Sequence, residues 1–253
     1  PAVLIVLDTV TAAKPEFRKY WQVNTLNPPE QTADGVILRN QSLGLAGRVD
    51  LHLLRPDAAD REVAVLSGAA AYSVFGKPFT PPIPDRPEAN GHRVLFSPKA
   101  AQASDSFLIV MTMTAEPAPS LPVALVEGAT TYALALADRV VVLSKTGKLL
   151  TEPFRLSVPA GGERHALLAG LTPGVWSLAS QDGKTRFNAR VAAGRNTAFF
   201  VAPAGDYTAR PSATPGAPEF RAAPGFMPPL SASLAHRIFL DGELLAAPPT
   251  RTA

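Results

Sequence analysis

Arg18-Lys19-Tyr20-Trp21, with Asn24 three residues on, is the best sugar-binding cluster in the chain. An aromatic face stacks on a pyranose, and a cation pairs with a carboxylate. The same residues also read as a strand whose Trp21 packs inward and whose cations are solvated. Both readings stand at the level of sequence. Trp176 follows Pro173-Gly174 and reads as a core anchor.

Other reactive residues carry less. The four histidines, His52, His92, His165 and His236, are scattered, without the i, i+2 or i, i+4 spacing of metal ligands. Structural or incidental roles are expected for all of them. His52 falls in the polar set of an alternating segment and is expected to face solvent or an interface. No Gly-x-Ser-x-Gly motif occurs. Ala160-Gly161-Gly162-Glu163 lacks the Lys-Ser/Thr of a phosphate loop and reads as a plain turn. The absence of cysteine excludes disulfides, thiolate chemistry and Cys-based zinc sites. No catalytic set, metal site or cofactor is expected.

The 24 Lys and Arg against 21 Asp and Glu give a net charge of +3, and no basic run interleaves with aromatics. Nucleic-acid binding is therefore not expected. A weakly basic surface is compatible with an acidic polysaccharide, but solvated charge is the better reading. No apolar run approaches the roughly 20 residues that span a bilayer. No signal peptide is visible. The chain opens at Pro1 directly on an apolar run, which reads as a cut end.

The elements that must hold these residues are strands. With 26 prolines and 18 glycines, long helices are disfavoured and many short strands joined by turns are expected. Ala2–Leu7 is apolar throughout and predicts a strand buried on both faces. Lys19–Asn24 is aromatic and β-branched and stops at Asn27-Pro28-Pro29. Asp34-Gly35 is a hairpin-type dipeptide before Val36-Ile37-Leu38. Gly47–Leu54 alternates polar and apolar and predicts a half-buried strand. A long surface loop is expected over 76–91, which holds five prolines. Arg93–Phe96 and Asp105–Met113 follow as strands, the second central because Phe107–Met111 is continuously apolar.

Glu116–Pro122 has three prolines in seven residues and reads as a stiff linker. Beyond it, strand-like segments recur every 8 to 12 residues as far as Val201, with a turn signal between each, such as Gln181-Asp182-Gly183-Lys184. That spacing argues a sandwich. Residues 209–230 are rich in Pro, Ala and Gly and read as extended or disordered. A strand-like patch returns at His236–Leu240, closed by Asp241-Gly242, and is suited to strand addition or self-association through the tail. The expected fold is all-β, with two antiparallel β-sandwich-like modules at 1–116 and 117–208 and a Pro/Ala-rich tail at 209–253.

Several phrases, taken in order, resemble one family. They are Leu4-Ile5-Val6-Leu7-Asp8-Thr9-Val10; Phe17–Asn24 with Asn27-Pro28-Pro29; Gly47–Pro56; Asp105-Ser106-Phe107-Leu108; and Gly170-Leu171-Thr172-Pro173-Gly174-Val175-Trp176. Together they resemble the heparinase II/III-like polysaccharide lyases, in the region after the helical toroid, over residues 1 to 208. The resemblance implies an α/α toroid followed by a β-sandwich and a smaller β module, of which this chain supplies the β parts. It implies cleavage of acidic polysaccharide by β-elimination, with most catalytic residues on the toroid and so absent here. Some relatives hold zinc through a histidine at the position matching Asn24. A neutral amide is a poor substitute, and the site is expected to be empty.

Two functions remain open. One is the β portion of a periplasmic or extracellular lyase, partnered by a toroid domain or chain and by acidic polysaccharide. Arg18, Lys19, Tyr20, Trp21 and Asn24 are then the expected substrate contacts. The other is a stand-alone carbohydrate-binding or structural surface protein without catalysis.

Overall fold

The computed structural model describes residues 2–42, 44–74, 76–80, 91–212, 238–240 and 243–246. Most of the loop expected over 76–91, and most of the tail, lie outside the described residues. The chain divides into two compact units, 1–122 and 123–253. Both are built almost entirely from strands. Among the described residues no helix is long and apolar enough to cross a membrane.

The first unit contains β1 (Ala2–Thr11), β2 (Trp21–Thr25), β3 (Glu30–Gln31), β4 (Gly35–Ser42), β5 (Leu45–Arg55), β6 (Arg61–Ser67), β7 (His92–Pro98) and β8 (Ser104–Ala115). One sheet runs β1-β8-β5-β4-β3 and the other β2-β7-β6. Strand alternation supplies the core between them. Val49, Leu51 and Leu53 of β5 and Phe107, Ile109 and Met111 of β8 meet Trp21, Val23, Val63, Val65, Val94 and Phe96. Phe96 and Phe107 pack edge to face, with centroids 5.5 Å apart. Arg61 lies over the Phe96 ring and donates to the carbonyls of Leu53 and Pro56. Burial pushes its guanidinium pKa below the ordinary value.

The expectation that Ala2–Leu7 is buried on both faces is overturned. β1 is the edge strand of its sheet and contributes nothing to the core, with Leu4 48% exposed. A three-stranded sheet is too narrow to cover a five-stranded one, so the outermost strand stays bare. β8 is interior, as expected, with Leu108, Ile109 and Val110 wholly buried. The polar side of β5 is not solvated. Asp50 is buried, 2.9 Å from Arg48 Nε, and accepts a hydrogen bond from Thr112 Oγ1 at 3.4 Å.

Asp34-Gly35 does close a hairpin, between β3 and β4. The glycine is needed for space. A Cβ at position 35 would lie 1.8 Å from the Leu51 carbonyl oxygen. The sequence reading assigns no strand to 61–67, although Val63 and Val65 alternate there.

The second unit contains β9 (Val123–Glu127), β10 (Thr131–Leu136), β11 (Arg139–Ser144), β12 (Phe154–Val158), β13 (Arg164–Ala169), β14 (Gly174–Ser180), β15 (Arg186–Val191), β16 (Thr197–Ala202) and β17 (Gly205–Ser212). The sheets are β16-β13-β11-β10-β9 and β12-β17-β14-β15. All pairings are antiparallel except β11 with β13, because the chain visits the other sheet through β12 between them. The turn before β14 is pinned. Asn196 Nδ2 donates to the Leu171 carbonyl and Thr172 Oγ1 to that of Leu150. Trp176 Nε1 then donates to the Thr172 carbonyl at 2.9 Å, with its ring buried against Phe154.

β17 departs from the expectation that residues from 209 onward are tail. It runs to Ser212 between β12 and β14, and Tyr207 on it is buried, its hydroxyl donating to the Pro203 carbonyl at 2.8 Å. Pro211 falls past the last pair with β12, where one side of β17 is an edge that tolerates a missing N–H. In the tail, β18 (Ile238–Leu240) pairs with β19 (Glu243–Ala246) in a local hairpin rather than with either sheet. His236 and Asp241-Gly242 lie outside the described residues.

Candidate functional site

The segment entering β2 sorts its residues by alternation. Trp21 and Val23 face the core, so Gln22 and Asn24 lie on the outer face of the β2-β7-β6 sheet. The five sequence-predicted contacts therefore separate.

Lys19 goes inside. Its Nζ lies 2.9 Å from Asp105 Oδ2, and it donates to the carbonyls of Gln102 at 2.5 Å and Phe17 at 3.4 Å. Trp21 packs against the core cluster. Lys19 ties the approach to β2 onto β8, and Trp21, partly buried, packs its ring toward the sandwich core.

Arg18, Tyr20 and Asn24 remain on the surface. Arg18 Nη2 donates to Glu62 Oε2 at 2.6 Å and Ser97 Oγ at 3.2 Å, and its guanidinium carbon lies 5.4 Å from the Tyr20 ring centroid. The ion pair is solvent-exposed and contributes at most about 1 kcal/mol to stability. Its value is positional: it holds a cation over an aromatic ring that is itself 47% exposed. At about 3.3 Å per residue, Asn24 lies roughly 13 Å further along the same face.

Asn24 opens onto a second feature. A groove of about 550 Å³ is lined by Gln22, Asn24, Tyr72, Phe79, His92 and Arg93, among others. Arg93 is the cross-strand partner of Asn24 on β7. A short 3₁₀ turn, Gly68–Tyr72, supplies Tyr72. Arg93 Nη2 donates to the carbonyls of Ser73 at 2.5 Å and Ala70 at 3.3 Å, so the guanidinium is fixed beneath that turn. His92 Nδ1 is 2.7 Å from Ser67 Oγ. Sequence reasoning missed Gln22, Tyr72, Phe79 and Arg93 as site residues. Gln22 was legible, since it alternates with Asn24. The others come to the site through strand register and chain reversal, for which there is no local signal.

The surroundings of Asn24 do not fit a zinc ion. Its nearest cross-strand neighbour is a guanidinium, and among the described residues no carboxylate lines the groove. Among the described residues no three His, Asp or Glu side chains converge as metal ligands.

Residues 125–211 match the family described as Heparinase II C-terminal domain. The match runs from β9 into β17, across the second unit, and supports a heparinase II/III-like C-terminal region. It does not extend to β2 or the groove. No curated protein matches the chain.

Proposed function

We propose that this chain is the β-sandwich portion of a secreted or periplasmic polysaccharide lyase that acts on acidic polysaccharide by β-elimination. The observation that carries the reading is the match of the second unit to the heparinase II C-terminal domain. The outer face of the first unit adds to it with a cation, an aromatic ring and free amides along one edge.

In such a reaction a base removes the proton α to the uronate carboxylate and an acid protonates the leaving oxygen. In this reading those groups reside on a partner α/α-toroid domain or chain. The contribution of this chain is to bind and orient. Arg18 pairs with a carboxylate on the polymer in exchange for Glu62, and Tyr20 offers a stacking face. Asn24 offers an amide to sugar hydroxyls further along.

Affinity electrophoresis in gels containing acidic or neutral polysaccharide tests the reading. The chain should be retarded by an acidic polymer, and Arg18→Ala with Tyr20→Ala should weaken that retardation. Adding the toroid partner should produce unsaturated product, seen by ultraviolet absorbance, where this chain alone yields none. Equal mobility in every gel would sink the proposal.

A further inference from the structure

The groove beside Asn24 combines features that point to a particular ligand. It is open to solvent, and its volume of about 550 Å³ is that of a small-molecule site. Leu26, Val74 and Phe79 around it are 45%, 46% and 57% exposed, an unusual concentration of bare apolar surface. Interleaved with them are polar side chains, two of which form no hydrogen bond inside the protein. Gln22 and Asn24 spend neither amide group internally. Arg93 commits Nη2 to two backbone carbonyls and leaves Nη1 uncommitted. Among the described residues no carboxylate pairs with it.

We infer that this groove binds one anionic pyranose unit, with Arg93 receiving its carboxylate or sulfate. The two backbone contacts pre-orient the guanidinium, so little side-chain entropy is lost when an anion docks. Phe79 and Tyr72 provide apolar walls for the ring face. Gln22 and Asn24, two residues apart on β2 and so about 6.6 Å along the strand, meet hydroxyls with both donors and acceptors. A divalent cation is disfavoured by the guanidinium and, among the described residues, by the lack of a carboxylate in the lining. The inference rests on the polysaccharide reading for the sugar ring, while the preference for charge rests on the groove alone.

Titration calorimetry on the full chain tests it with three short probes: a uronate-containing disaccharide, a sulfated disaccharide lacking uronate, and a neutral disaccharide. The charged probes should bind at least about tenfold more tightly than the neutral one. Arg93→Gln should abolish that difference. Because Arg93 also holds the 3₁₀ turn, Asn24→Ala and Gln22→Ala serve as variants on an exposed strand face. Each should weaken charged and neutral probes alike. Arg18→Ala should weaken polymer binding, while the dependence of the charged-over-neutral preference on Arg93 persists in that background. Preference for only one charged probe identifies the anion as carboxylate or sulfate. Polymer retardation with no disaccharide discrimination, or with all three groove variants silent, overturns the groove and leaves the polysaccharide reading intact. Failure of every saccharide to bind overturns both.

Discussion

Lys19 Nζ and Asp105 Oδ2 stand 2.9 Å apart with both side chains about 95% buried. The carboxylate oxygen is close to the ammonium without hydrogen-bond alignment, and Lys19 aims its donors at the Gln102 and Phe17 carbonyls instead. The attraction is therefore ionic, and each charge depends on the other. Lys19→Met alone, or Asp105→Asn alone, is expected to cost about 3 to 5 kcal/mol in urea unfolding, because the remaining charge is stranded. The double variant should recover most of that loss. Full destabilisation in the double variant would show that the pair is not the cause.

The neighbouring cation should behave in the opposite way. Arg18→Ala breaks an exposed pair with Glu62 and should change unfolding free energy by less than about 1 kcal/mol. Acidic-polymer retardation should nevertheless fall. A large stability loss would move Arg18 from a binding role to a structural one.

Gly35→Ala tests the close approach of β4 to β5. The new methyl would lie 1.8 Å from the Leu51 carbonyl oxygen, so the backbone must shift. A loss of about 1 to 3 kcal/mol or more is expected from thermal or urea unfolding. Gly47→Ala on β5 is the control, since its nearest neighbour would be 4.0 Å away.

His52 should make stability pH-dependent. Burial is the main cause that lowers its pKa below the ordinary 6.5, with Asp50 and Asp34 opposing. The folded state holds the neutral ring while the unfolded chain takes up a proton near the ordinary value. The unfolded state thus binds more protons as pH falls below about 6.5, and stability drops there, levelling only below the folded pKa. Above that range the contribution of His52 is flat. In urea midpoints measured from pH 8 to 5, His52→Gln should show a shallower acid-side fall than the parent.

The two units can be followed separately because each holds one of the two tryptophans, Trp21 or Trp176. Tyr207→Phe removes the bond to the Pro203 carbonyl and should cost about 1 kcal/mol. In a Trp21→Phe background, Trp176 fluorescence should report that loss. With Trp21 as the only tryptophan, the same change should leave the transition of the first unit unmoved.

Much of the architecture was legible because its signals are local. Alternation in 47–54 and continuous apolarity in 107–111 are properties of short segments, and both became the strands they predict. Gln181-Asp182-Gly183-Lys184 turns the chain as its composition implies. Ser180 Oγ and the Lys184 amide both donate to Asp182 Oδ1 and hold its carboxyl below the usual range. The Gly-Leu-Thr-Pro-Gly-x-Trp phrase carried both a family resemblance and a buried tryptophan.

The sequence alone determined that this is an all-β protein and which segments form most of its strands, and its phrases over residues 1 to 208 carried a resemblance to the heparinase II/III-like lyases, which the family match supports over 125–211. Only the tertiary structure decided which side chains stand at the surface and which are buried. Arg18 and Lys19 are adjacent cations, yet one caps an exposed tyrosine and the other is buried against Asp105. Ala2–Leu7 and Phe107–Met111 are equally apolar, yet one is a bare edge and the other the centre of a core. Arg93 faces Asn24 across a ladder between residues far apart in the chain. Alternation fixes that neighbours point to opposite sides. Which side is the inside depends on strand order and on what the opposing sheet can cover, and those are settled by pairings remote in sequence.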